Sequence, residues 1–161
     1  MGDGRRANGR GDSVGVLVAG AQVPNPLCGL RALKILCERA GVNASVSELA
    51  ELAGTGENGT SLLGLCTAAR SKGLALWAYE TSLPGLRDTL AATGCPAIAL
   101  LRRCHYVVVE AVSRDQVWFL DPSRPSGRAR TLSSAEFAAA WNGYVVAVAQ
   151  GAAARQEAGN Q

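Results

Sequence analysis

Histidine occurs once in this sequence and methionine once, and aromatic residues make up only 5% of it. Its 16 basic and 13 acidic residues are scattered, and no Lys/Arg-rich run interleaved with aromatics is present. The chain therefore has no footprint of nucleic-acid recognition. The five cysteines, at positions 28, 37, 66, 95 and 104, form no C-x-x-C pair, which speaks against a zinc site or a dithiol redox motif. Their odd number and irregular spacing do not fit a disulfide framework, so the expected setting is a reducing compartment, the cytoplasm. No apolar run approaches the ~18 residues that a membrane-spanning helix needs. The short run Val14–Val18, followed by Ala19-Gly20-Ala21, resembles a secretory segment. It is too brief, however, and Asp3 and Asp12 stand where an export signal is basic. The Gly54–Gly59 loop lacks the lysine that a phosphate-binding P-loop requires, so it reads as a turn and no cofactor is implied.

What is present is an ordinary globular composition, 48% hydrophobic and 18% charged over 161 residues, enough for one domain with its own core. The Gly- and Arg-rich start has no apolar period. Residues 1–19 are accordingly expected to form a disordered tail, 20–150 the folded domain and 151–161 a second tail. Leu30, Leu33, Ile35 and Leu36 repeat at helical spacing from about Cys28, and Gly41 closes that helix. Ser45 and Glu48 spell a capping box for a short helix to Ala53. Thr60 is the expected cap of a third helix to about Lys72. Leu74–Tyr79 reads as a strand, and Ser82–Leu90 opens a helix with Pro84 in its first turn. Pro96–Leu101 reads as a central strand, and His105–Val112 with Gln116–Asp121 as a hairpin. Ser133 and Glu136 form a second capping box for a helix through Trp141, before a closing strand Gly143–Val148. Helices first and mostly antiparallel strands after define an α+β class.

Against this frame Cys28 stands out. Pro24 and Pro26 force an extended approach, and the cysteine then meets the unpaired N–H groups and positive dipole end of a starting helix. Both favour a thiolate nucleophile. Cysteine is also a common core residue, so taken alone the position favours packing. His105 opens one strand of the hairpin and Asp121 ends the other, which brings a carboxylate within reach of an imidazole. Singly, the histidine fits a core position and the Asp-Pro pair a strand terminator. Together the three fit nucleophilic catalysis: Cys28 attacks a carbonyl, His105 takes up its proton, and Asp121 fixes the imidazole. Gln22, six residues before Cys28 on the extended approach, is placed to donate its amide to an oxyanion alongside the Cys28 N–H.

The segments Gln22-x5-Cys28-Gly29, Gly59-Thr60-Ser61-Leu62, Cys95–Leu100, His105–Val109, Asp121-Pro122, Glu136-Phe137 and Trp141-Asn142-Gly143 resemble the double-glycine leader peptidase family. Its members are papain-like bacteriocin-processing domains usually fused to ABC exporters. The likeness runs from about Gln22 to Val148. It implies a papain-like fold, with N-terminal helices on a mostly antiparallel sheet, and a cysteine peptidase that cuts a peptide precursor after Gly-Gly or Gly-Ala. By motif, Cys28 is then the nucleophile, His105 the general base, Asp121 the orienting carboxylate and Gln22 the oxyanion donor. A glycine preference is physically reasonable, because residues with little or no Cβ can thread a narrow cleft beside the sulfur.

This sequence departs from the family pattern in two ways. Leu27 stands where an acidic residue usually precedes the cysteine, and neither a membrane domain nor an ATPase follows. The expectation is a peptidase unit acting on its own or beside a separate ABC exporter, at the inner face of the membrane in the second case. Cys37 and Cys104 are expected to be packing residues. Two alternatives stay open: a catalytically silent peptide-binding module of the same fold, and a papain-like hydrolase or acyl-transferase acting on a non-peptide amide.

Overall fold

The computed structural model describes residues 26–102, 105–124 and 129–148. The expected tails, Gln22 and Cys104 lie outside the described residues. Three helices come first: α1 (Cys28–Arg39), α2 (Val46–Ala53) and α3 (Leu62–Ser71). They are followed by β1 (Leu76–Glu80), α4 (Leu83–Thr93), β2 (Ala97–Leu101), β3 (His105–Val112), β4 (Gln116–Leu120), β5 (Ala129–Ser133), α5 (Ser134–Ala140) and β6 (Trp141–Val148).

The six strands form one sheet in the order β1-β6-β2-β3-β4-β5, and every neighbouring pair is antiparallel. The last strand in sequence inserts between β1 and β2, and its Val145, Val146, Ala147 and Val148 are buried. One face of the sheet carries α1–α3. Leu30, Leu33 and Leu65 on that side are completely buried with Ile98 and Val108, each such leucine contributing about 2 kcal/mol by removal from water. The other face carries α4 and α5, where Leu86 and Phe137 pack with Val107, Val109 and Phe119. Helix α1 packs on β3, which fixes the nucleophile's helix against the strand that begins with the histidine.

The helix boundaries follow local chemistry, with informative differences. The first helix begins at Cys28 with no side-chain cap, and Gly41 takes the left-handed conformation just beyond its end (φ 75°). Ser45 caps α2 by accepting from the Glu48 N–H at 3.1 Å. The reciprocal half of that expected box does not form, because the Glu48 carboxylate accepts from Lys72 Nζ at 2.7 Å instead. The box at Ser133 and Glu136 is complete.

Ser61, not Thr60, caps α3. The Thr60 hydroxyl is engaged with that of Thr55 at 2.7 Å, and its carbonyl accepts from the Tyr106 hydroxyl at 2.8 Å. Trp141 does not end a helix as its spacing predicts but starts β6, because its Nε1–H donates to the Tyr144 carbonyl and its ring packs on Phe137. Strand β5, Ala-Arg-Thr-Leu-Ser, carries no alternation strong enough to announce it. It is an edge strand paired only with β4.

Candidate active site

The first turn of α1 places Cys28 in the lining of a cleft of about 410 Å³, with Pro26, Gly59, Thr60, Leu100 and Tyr106 among its other walls. Cys28 is almost fully buried, 3% exposed, and the cleft is its access. The register of the β3–β4 hairpin pairs Val108 with Leu120, so Asp121, one step beyond, falls beside the start of β3. There the Nε2–H of His105 donates to Asp121 Oδ1 at 3.1 Å. The Cys28 side chain lies close enough to the same imidazole to help raise its pKa. The structure thus brings Cys28, His105 and Asp121 together, both of the others acting on the imidazole.

Electrostatics reinforce the arrangement. The hydrogen bond to Asp121, then the one to Cys28, raise the His105 pKa to about 9 against the opposing effect of burial. Burial pushes the Asp121 carboxyl upward, but hydrogen bonds from His105 and Ser123 outweigh it and hold the group well below the usual carboxylate range. Asp121 Oδ1 accepts from the Ser123 N–H at 3.0 Å and from its hydroxyl at 2.6 Å. Ser123 was not among the residues that the sequence singles out, although an Asp with Ser two positions later is the pattern of a local side-chain-to-backbone turn. Arg124 stands farther off, its Nε 3.8 Å from Asp121 Oδ2.

The end of the turn read from the glycines lines the same cleft as Cys28. Gly56 and Gly59 exchange backbone hydrogen bonds at 3.2 and 3.1 Å, and Gly59 has φ 99°, a conformation that favours glycine. Gly29, directly after the cysteine, admits the Tyr106 ring: a Cβ there would lie 2.9 Å from Tyr106 Cδ2. Cys37 and Cys66 are buried core residues, and burial raises both thiols. They carry no role in the site.

The architecture is that of a papain-like cysteine peptidase domain. Residues 18–153 match the model of the Peptidase C39 family, and the chain belongs to that family. It is 28% identical to the peptidase domain of Streptococcus ComA, described as a bifunctional ABC transporter of a quorum-sensing pathway. That match has a TM-score of 0.67 over 80% of this chain and 96% of that one. A double-glycine motif protease from an AMS/PCAT transporter, solved with its leader peptide, shares the fold at TM-score 0.66 and 19% identity, over 78% of this chain and 86% of that one. Among curated proteins, the pediocin PA-1 transport/processing ATP-binding protein PedD of Pediococcus acidilactici is 29% identical over 80% of this chain, which spans 18% of its length. A protein of Methanothermobacter thermautotrophicus described as uncharacterized is 38% identical over 60% of this chain and 65% of its own length. Among the described residues no helix is long and apolar enough to cross a membrane.

Proposed function

We propose that this chain is a cysteine peptidase that cleaves a peptide precursor after a Gly-Gly or Gly-Ala pair, using Cys28, His105, Asp121 and Gln22. The observation that carries the reading is the His105 imidazole, bonded to the Asp121 carboxylate and close to the sulfur of Cys28, which lines a cleft. Membership of the Peptidase C39 family and likeness to transport/processing proteins support the peptide substrate.

In this mechanism the Cys28 thiolate adds to the carbonyl carbon of the scissile bond. The resulting oxyanion accepts from the Cys28 backbone N–H and the Gln22 side-chain amide. The His105 imidazolium gives its proton to the departing amide nitrogen as the C–N bond breaks, leaving a thioester on Cys28. A water molecule, deprotonated by the now neutral His105, attacks that thioester. Collapse releases the leader with a new carboxylate and restores the thiolate–imidazolium pair. Asp121 keeps Nε2 protonated and the ring in plane throughout, without itself taking the proton. The folded domain is taken as residues 20–150, working on its own or beside a separate ABC exporter in the cytoplasm.

The test is incubation of the chain with a Gly-Gly-containing precursor, alongside alkylation by iodoacetamide and mapping of the modified residue. Cleavage after the glycine pair, lost in Cys28→Ala, with selective labelling of Cys28, is the expected result. Binding without cleavage or selective labelling identifies a silent peptide-binding module. Rapid labelling without peptide turnover points to an amide other than a peptide bond.

A further inference from the structure

The residue after His105 is a tyrosine whose hydroxyl makes a buried hydrogen bond. Tyr106 is 5% exposed, and its ring fills the space over Gly29, the residue after the nucleophile. Its hydroxyl donates to the Thr60 carbonyl at 2.8 Å across 46 positions of sequence. On the other side of Thr60, the Thr60 and Thr55 hydroxyls share a 2.7 Å hydrogen bond. Thr60 is itself buried, 8% exposed, and both it and Tyr106 line the cleft that holds Cys28. The cleft wall at Thr60 is therefore tied from two directions. One tie runs to the strand carrying the histidine, the other across the base of the glycine turn.

We infer that Tyr106, acting through Thr60, is a positioning residue that fixes the width of the cleft and so enforces small residues at the scissile pair. The inference rests on the peptidase reading. A loop selects by size only if it cannot yield, because a wall free to move outward admits an added methyl at little cost. A rigid pocket discriminates one methyl or methylene by about 10–200-fold, and a buried hydrogen bond from a strand is the means by which a loop is made rigid. Through its bond to the Thr60 carbonyl the Tyr106 hydroxyl acts on which peptide enters and not on how the bond breaks. Thr55 has the same role from the far side of the turn.

The experiment compares the full chain with Tyr106→Phe, which keeps the ring over Gly29 and removes the hydroxyl that bonds to Thr60. Thr55→Val and Thr55→Ser are measured beside it. Two peptides are used, identical except for Gly-Gly or Ala-Ala before the scissile bond, with kcat and KM determined separately. Iodoacetamide labelling of Cys28 monitors the nucleophile. In Tyr106→Phe and Thr55→Val, the Gly-Gly over Ala-Ala ratio of kcat/KM is expected to fall by about tenfold. The fall comes from improved use of the Ala-Ala peptide and a higher KM for the Gly-Gly peptide, while Thr55→Ser keeps the wild-type ratio and the labelling rate stays within about twofold. An unchanged ratio in Tyr106→Phe and Thr55→Val overturns the inference, as does an equal loss on both peptides or a drop in labelling that places the effect on Cys28 itself. A wild-type chain that cleaves neither peptide removes the peptidase reading and this inference with it. A wild-type chain that prefers Gly-Gly, with variants that keep the same preference, removes the inference alone.

Discussion

His105 and Asp121, sixteen residues apart in sequence, are joined by an Nε2–H to Oδ1 hydrogen bond of 3.1 Å, and both are largely withdrawn from solvent, at 24% and 11% side-chain exposure. The bond commits Nε2 of the ring to the carboxylate. It also keeps the imidazole charged to a higher pH than a free histidine would be. Each consequence can be measured.

The charge sets an alkaline limit. In the proposed mechanism His105 must carry a proton to give to the leaving amine. Its pKa is raised to about 9, so cleavage should hold through neutral pH and decline as pH rises through about 9. Replacing Asp121 with Asn removes the largest influence raising that pKa, and the alkaline limb of kcat/KM should move to lower pH. A limb that stays in place in Asp121→Asn contradicts this assignment.

Stability follows the same two groups in opposite directions. His105 is raised in the fold, so its contribution is complete below pH 6.5 and is lost as pH climbs through about 9. Asp121 is lowered, so its contribution is present above the ordinary carboxylate range and is lost on acidification below it. Urea titrations from pH 3 to pH 10 should show both flanks. Both should be blunted in the Asp121→Asn chain.

Ser123 gives Asp121 two of its three short hydrogen bonds to Oδ1. Ser123→Ala removes the hydroxyl donor and keeps the N–H. The expected loss in kcat/KM is about tenfold, in keeping with one hydrogen bond to a charged group, with the alkaline limb displaced less far than in Asp121→Asn. His105→Ala should cost far more, about 10²–10⁴-fold. Steady-state kinetics on the same precursor peptide rank the three variants.

Gly64 tests the packing of the helical layer. A Cβ at this position of α3 would lie 2.6 Å from the Ala53 backbone carbonyl oxygen, which cannot swing aside as a side chain could. Alanine normally favours a helix interior over glycine by about 1 kcal/mol. Here the overpacking penalty of about 1–3 kcal/mol should win, so Gly64→Ala lowers stability in chemical denaturation despite the better helix former. Gly41→Ala meets no neighbour but is strained by its φ of 75°, and offers a control for backbone strain without a clash.

Much of the fold was legible because its signals are local. The repeat from Leu30 to Leu36 marks α1, the Ser133–Glu136 box marks α5, and the residues His105–Val112 and Gln116–Leu120 flank a hairpin in both sequence and structure. Where local rules failed, another partner had already claimed the group. Glu48 went to Lys72 and not back to its cap, Thr60 was held by Tyr106 and Thr55, and Trp141 bonded within its own strand. Strand β5 had no signal because an exposed edge strand needs no apolar face.

The sequence by itself determined where the reactive residue types stand: a cysteine opening a helix after two prolines, one histidine opening a strand, and an Asp-Pro ending its partner. Backbone sterics, capping and periodicity act over a few residues, so those placements can be read without knowing what lies across the molecule. Only the tertiary structure decided that the imidazole is bonded to Asp121 and close to Cys28, that Ser123 steadies the carboxylate, and that Tyr106 reaches Thr60. Those relations depend on α1 packing against β3 and on the hairpin register. Burial of the whole core sets both, and no single segment of the chain contains it.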